Sequence, residues 1–200
     1  MAEVTTSTLK FKNTITKGHY GYLRVRKLKL LIGACILLLG IIGLMIINWV
    51  VFKTNKTWLS IFAALSAIPM AMEFATFFSI AKFKQRPEEE YDEITELTGN
   101  GVLDCEIIVA NPNGPSFEFP YVYIHETGIY AFSPNKKLDI HATEDYVRNY
   151  LRLNKCDGPM TIYVDMKMFK NRLKNLEPSD RETCSEYMLE QEGIIRAIAT

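Results

Sequence analysis

Asp104 and Glu106 stand two residues apart in the stretch GVLDCEIIVA, alternating with apolar neighbours. On a β-strand that spacing sets both carboxylates on one face, opposite Leu103, Cys105, Ile107 and Val109. Two adjacent carboxylates are the beginning of a divalent-cation site of the kind that activates water for hydrolysis; the same pair is also what the solvated face of a strand near a sheet edge looks like. Glu118 and Glu126 are further carboxylates that such a site would need to recruit. His125 and His141 are widely separated, with no cysteine or histidine cluster around them, so zinc spacing is missing, and His125 reads as a side chain at a strand-end turn. No phosphate loop, nucleophile elbow, kinase set, Cys-x-x-Cys or Asp-x-Asp occurs, and no cofactor is expected.

One more acid stands out. Glu73 lies inside an apolar run, where a carboxylate costs on the order of 2.5–3.5 kcal/mol on the lenient insertion scale. It should therefore be neutral, paired, or turned toward a cavity or another subunit. A proton or ion site, or an oligomer contact, is the functional reading. The bland one is a carboxyl bonded to a nearby carbonyl or reaching toward the membrane surface.

The elements that would position these groups begin with two apolar runs. Residues 30–52 carry no charge, and at about 1.5 Å per residue they are long enough to cross roughly 30 Å of hydrocarbon. Residues 58–81 form a second run, more polar than the first and holding Pro69 and Glu73. The short link Lys53, Thr54, Asn55 and Lys56, flanked by Trp49 and Trp58, allows only an antiparallel return, which makes a membrane α-helical hairpin of residues 30–81. The run is too long for a signal peptide, and no small-x-small cleavage pattern follows it.

Charge sets the orientation. The 200-residue chain balances 23 basic against 23 acidic residues, which gives no overall pull toward nucleic acid. Yet Lys10, Lys12, Lys17, Arg24, Arg26, Lys27 and Lys29 precede the first run against only Glu3, and Lys82, Lys84 and Arg86 follow the second. The expectation is a two-span protein of the inner (plasma) membrane with both termini cytoplasmic, and a basic leader, residues 1–29, that fixes topology and also meets anionic lipid. Cys105, Cys156 and Cys184, an odd set without metal spacing, fit a reducing compartment. Within the hairpin, Ala63, Ala67, Ala71, Ala75 and Ser79 recur every four residues as a small-residue ridge that Gly33, Gly40 and Gly43 could meet, unless the row is chance in an alanine-rich span. Glu73, about 200° around the helix from Ala71, is expected to lie off that seam. The membrane helices also offer a surface for a homo-oligomer.

Residues 88–200 have the composition of a small α+β domain. The patterning predicts a helix over 88–98 stopped by Gly99, strands over 102–110, 117–125 and 129–133 separated by the turns 111–116 and 126–128, and a helix from a Thr143 cap to about 154. A strand over 160–164, a helix capped by Asp165 and ended by Pro178, and a final helix over about 182–199 complete the order αβββαβαα. The aromatic row Phe117, Phe119, Tyr121 and Tyr123 has no basic stripe beside it and reads as core, which makes nucleic acid an unexpected partner.

The first six of these elements resemble the core of the restriction-endonuclease-like fold, and YVYIHETGIYAF, with Thr127 and Gly128 at a turn before an apolar strand, resembles the nuclease-related (NERD) domains of membrane-linked bacterial proteins. The resemblance implies a catalytic aspartate and a Glu-x-Lys pair, but those places fall at Pro120, Ser133 and Asn135, none of which can hold Mg²⁺ or orient water as that chemistry requires. The leading expectation is a bacterial-type two-span membrane protein presenting a non-catalytic cytoplasmic domain for a protein or ligand partner. The alternatives are a metal-dependent nuclease or other hydrolase using displaced carboxylates, and a transport or proton-coupled role through Glu73.

Overall fold

The computed structural model describes residues 16–53, 57–110, 116–177, 179–182 and 184–199. Lys10 and Lys12, the link residues 54–56, the turn residues 111–115 and the helix stop at Pro178 lie outside them.

Helix α1, Tyr22–Ile47, runs into a π-helical turn, Asn48–Phe52, and α2 spans Trp58–Ala81. Both are long and apolar enough to cross a membrane, and they pack side by side with Leu39, Trp49, Trp58 and Phe78 facing outward. Helix α1 starts well before the uncharged run: residues 22–29, expected to belong to a leader, are its first two turns.

The seam between the helices differs from the expected ridge. Its covered positions include Leu30, Gly33, Ala34, Leu37, Ile41 and Leu44 on α1, Asn48 at the start of the π-helical turn, and Ala63, Ser66, Ala67, Met70, Glu73, Phe74, Phe77 and Ile80 on α2. Steps of three and four alternate, as they must for a stripe to stay against a neighbour. A strict four-residue step advances about 40° past a full turn each time. The alanine row therefore drifts away: Ala63 is buried and Ala67 half-buried, but Ala71, Ala75 and Ser79 are exposed. Gly40 is exposed and Gly43 half-covered, and a Cβ at either would meet nothing within 4 Å. Of the three glycines only Gly33 is filled against, and what fills it is Glu73: a Cβ on Gly33 would lie 2.5 Å from Glu73 Oε2. Glu73 thus belongs to the seam that it was expected to avoid.

The π-helical end of the hairpin is closed by a polar clasp. Asn48, fully buried, donates from Nδ2 to Ser60 Oγ at 2.7 Å and accepts from Thr57 Oγ1 through Oδ1. In an apolar surround such bonds have no water to compete with them.

After a short connection, α3 (Glu88–Thr98) leads into β1 (Val102–Val109), β2 (Phe117–His125) and β3 (Gly128–Phe132), followed by α4 (Ile140–Leu153), β4 (Met160–Tyr163), α5 (Met166–Lys174) and α6 (Glu186–Ile198). The four strands make one mixed sheet in the order β1-β2-β3-β4, antiparallel except for the parallel pair β3 and β4. Val147 and Leu151 of α4 with Met188 and Ile195 of α6 cover one face, while Ile94 of α3 with Phe169 and Leu173 of α5 cover the other.

Helix α4 begins earlier than expected. Asp139 caps it, accepting from the Ala142 amide at 3.1 Å, and Thr143 instead lies within the first turn, its hydroxyl donating to the Asp139 carbonyl at 2.7 Å. Asp165 caps α5 through the Lys167 amide at 2.8 Å. Helix α6 is shorter than the predicted 182–199.

Strict alternation fails at the centre of β1 and β2. Val102, Ile107 and Val109 share one core with Phe117, Phe119, Val122 and Ile124, whereas Leu103 and Cys105 share the other with Tyr121 and Tyr123. Both strands change face at the same level, where Glu106 at φ 56° stands opposite Pro120; because each strand shifts once, the pairing register continues unbroken. The aromatic row is thereby split between two cores. Both sheet edges are protected: Glu144 accepts from the Ile162 amide at 2.7 Å on β4, and β1 is bridged by Gly18 near its middle and Ala199 at its end.

Candidate functional site

The most elaborate chemistry lies where the hairpin meets the sheet. Residues 16–21, expected to belong to the basic leader, lie along β1: the Cys105 amide donates to the Gly18 carbonyl at 2.7 Å, and Lys17 Nζ donates to the Ala199 carbonyl. The Tyr20 ring stacks on Tyr91 at 4.6 Å between centroids, and its hydroxyl donates to the Arg86 carbonyl at 2.7 Å. Gly18 sits at φ 90°, and a Cβ there would come within 2.6 Å of Asp104 Oδ1 and 2.5 Å of Arg196 Nε, so both backbone and space demand glycine.

Glu106 and Lys27 act as opposite caps. The first amides of α1 have no helical partner, and a Glu106 oxygen accepts from the Leu23 amide at 2.6 Å, placing a carboxylate at the positive end of the helix. At the matching end of α2, Lys27 Nζ donates to the Ala81 carbonyl at 3.3 Å and to the Phe83 carbonyl. Leu23, Ile80, Phe83 and Ile108 form a small apolar core beneath these caps. Glu106 is the left-handed residue at the strand reversal, so the irregularity in β1 sits at the residue that reaches α1. Burial pushes its carboxyl up, partly offset by the Leu23 and Gly21 amides and by Lys27. Burial likewise raises Glu118, against the pull of Arg86, Lys27 and Lys82. Arg86 itself is held by Glu90 in two bonds of 2.8 and 2.7 Å.

Asp104, fully buried, turns the other way. Arg196 of α6 donates to it from Nε at 2.9 Å and from Nη2 at 2.6 Å, and Glu192 lies 2.6 Å from that same Nη2 while pairing with Arg181 at 2.7 Å. Desolvation outweighs the guanidinium, and the Asp104 carboxyl is pushed up to about 6.

The proposed cation pair is therefore not a pair. The face reversal sends Asp104 to α6 and Glu106 to α1, and each has its own partner. Among the described residues no group of three or more His, Cys, Asp or Glu side chains is placed to hold a metal ion. Glu126 is exposed in the β2–β3 turn, and His141 is exposed on α4. His125 bonds Thr127 Oγ1 at 2.9 Å and the Glu177 carbonyl at 3.1 Å. At the places of the nuclease-type residues, Pro120 is buried in β2, Ser133 is buried with no hydrogen-bond partner for its hydroxyl, and Asn135 accepts from the Lys137 amide at 3.1 Å.

Sequence reasoning passed over Asn48, Gly18 and Arg196, and it read Lys27 as one of the leader's topology-setting cations rather than as a helix cap. Asn48 left a trace as the one amide side chain in the first apolar run; Lys27 and Arg196 were indistinguishable from other surface cations. No family model, curated protein or solved structure matches the chain.

Proposed function

We propose that the protein is a two-span inner-membrane protein, with the ends of its hairpin and its α+β domain on the cytoplasmic side, whose domain is a non-catalytic module that binds a protein or ligand partner at the membrane face. The observation that carries this reading is the capping of α1 by Glu106: a carboxylate that a hydrolase would need for a metal is committed to the anchor. Asp104 is committed in the same way to Arg196. The segment before α1 and the domain after α2 lie on one side of the hairpin, with most of the basic residues that flank it. The likeness to nuclease-related domains then concerns the scaffold, with Pro120, Ser133 and Asn135 where its chemistry would stand.

The test uses the full chain reconstituted in vesicles, assayed for cleavage of DNA and RNA with Mg²⁺ or Mn²⁺. No cleavage and no saturable Mn²⁺ binding are expected. Cleavage abolished by Asp104→Asn or Glu106→Gln would replace the binding module by a hydrolase. Labelling of a cysteine placed at Lys84 from the cytoplasmic side only, and of one placed at Lys53 from the opposite side only, checks the orientation.

A second reading, a proton-coupled role for the hairpin, draws on Glu73, whose Oε2 lies in the seam beside Gly33 with no hydrogen-bond partner. It requires Glu73→Gln to abolish coupled activity or assembly without loss of insertion.

A further inference from the structure

We propose that the base of the hairpin is a seat for anionic phospholipid headgroups, formed by Arg24 and Lys29 of α1 together with Lys82 and Lys84 just beyond α2. The inference rests on the hairpin spanning a bilayer and identifies which basic residues meet it. All four side chains are exposed, and none takes part in any ion pair found among the described residues, although Lys82 Nζ stands 4.8 Å from the centre of the Phe83 ring.

Their neighbours explain why they are left over. Lys17 is turned to the Ala199 carbonyl and Lys27 to the end of α2, and Arg86 is bound by Glu90, so these cations are spent inside the protein. Of the nearby carboxylates, Glu106 turns to the α1 amides, and Glu118 lines the crevice that Arg86 and Lys84 also line. Four exposed cations brought together around two helix ends are complementary to an anion supplied from outside.

Position selects the source of that anion. Lys29 immediately precedes the first apolar run and Lys82 immediately follows α2, so both ammonium groups emerge at the level of the headgroups. At the opposite end of the hairpin the described residues offer Lys53 alone, beside the neutral Asn48 clasp, so the preference belongs to the leaflet on the domain side.

The experiment reconstitutes the full chain in phosphatidylcholine vesicles carrying spin-labelled phosphatidylglycerol or spin-labelled phosphatidylcholine, and reads the fraction of each probe immobilised by the protein. Protease protection is measured first, because a chain that fails to insert overturns the two-span reading itself. In inserted protein, phosphatidylglycerol should be enriched over phosphatidylcholine, by roughly fivefold per basic residue at low salt as an upper limit. The enrichment should fall stepwise in Lys29→Gln, Lys84→Gln and the variant with all four residues changed to Gln, and persist in Lys136→Gln/Lys137→Gln. Equal immobilisation of both probes, or no change in the inserted variants, overturns the proposal. Loss of enrichment on adding inorganic phosphate at constant ionic strength also overturns it, since the seat would then be one for free phosphate.

Discussion

At the scale of single residues, the two carboxylates of β1 show how much hangs on one backbone angle. Alternation predicted a shared face for Asp104 and Glu106, and it fails because Glu106 is left-handed opposite a proline, a feature that residue types do not announce. Glu106→Ala should leave the α1 amides unsatisfied and cost about 1–2 kcal/mol, whereas Glu106→Gln keeps an acceptor and loses only the charge, about 0.5–1 kcal/mol, both read by thermal denaturation of the detergent-solubilised full chain. Asp104 gives a pH signature. Its folded-state value, about 6, lies above the ordinary carboxylate value, so the fold favours the proton-bound form. That contribution is complete below about pH 4 and is lost as pH rises through about 6. The difference in stability between the native chain and Asp104→Asn should change across this window and be flat above it; a constant difference from pH 4 to 7 would place the titration elsewhere.

At the scale of elements, the spans, the helix over 88–98 and the strands of the meander were legible because each carries a strong period and clear punctuation. The partners across the hairpin were not legible, since a list of small residues does not reveal which helix face is turned inward. The seam makes a sharp contrast between two glycines. Gly33→Leu would drive a side chain into Glu73 and should weaken hairpin packing by about 1–3 kcal/mol, while Gly40→Leu, facing outward, should be nearly neutral; hairpin resistance to denaturing detergent reads both. Asn48→Leu removes both bonds of the clasp and leaves Thr57 and Ser60 without that partner, a loss of about 1–2 kcal/mol that appears as faster hydrogen exchange in the π-helical turn.

At the scale of the whole molecule, the sheet within residues 88–200 also rests on residues before and at the start of α1. Residues 16–23 supply the Gly18 bridge, the Tyr20 stack and Leu23 of the junction core. A fragment of residues 88–200 would bare the middle of β1 and the apolar underside of Ile108, and should aggregate or exchange the amides of β1 rapidly compared with the full chain. Retention of full-chain protection in that fragment would show the junction to be dispensable. Composition could not reveal this dependence, because a basic segment ahead of a membrane helix reads as a topology signal whether or not it also packs on a sheet.

The two bridges on β1 also set an order of events during synthesis. Lys17 and Ala199, 182 residues apart in the chain, meet beside the same strand. The apolar hairpin is made, and can enter the bilayer, long before residues 196–199 are available to finish the sheet edge. Until then β1 carries an open end beside the base of the hairpin, and the long contact must be found in a search already narrowed by the packed helices. Translational pausing after β4 would prolong that interval, and mispairing between neighbouring nascent chains would be concentrated there.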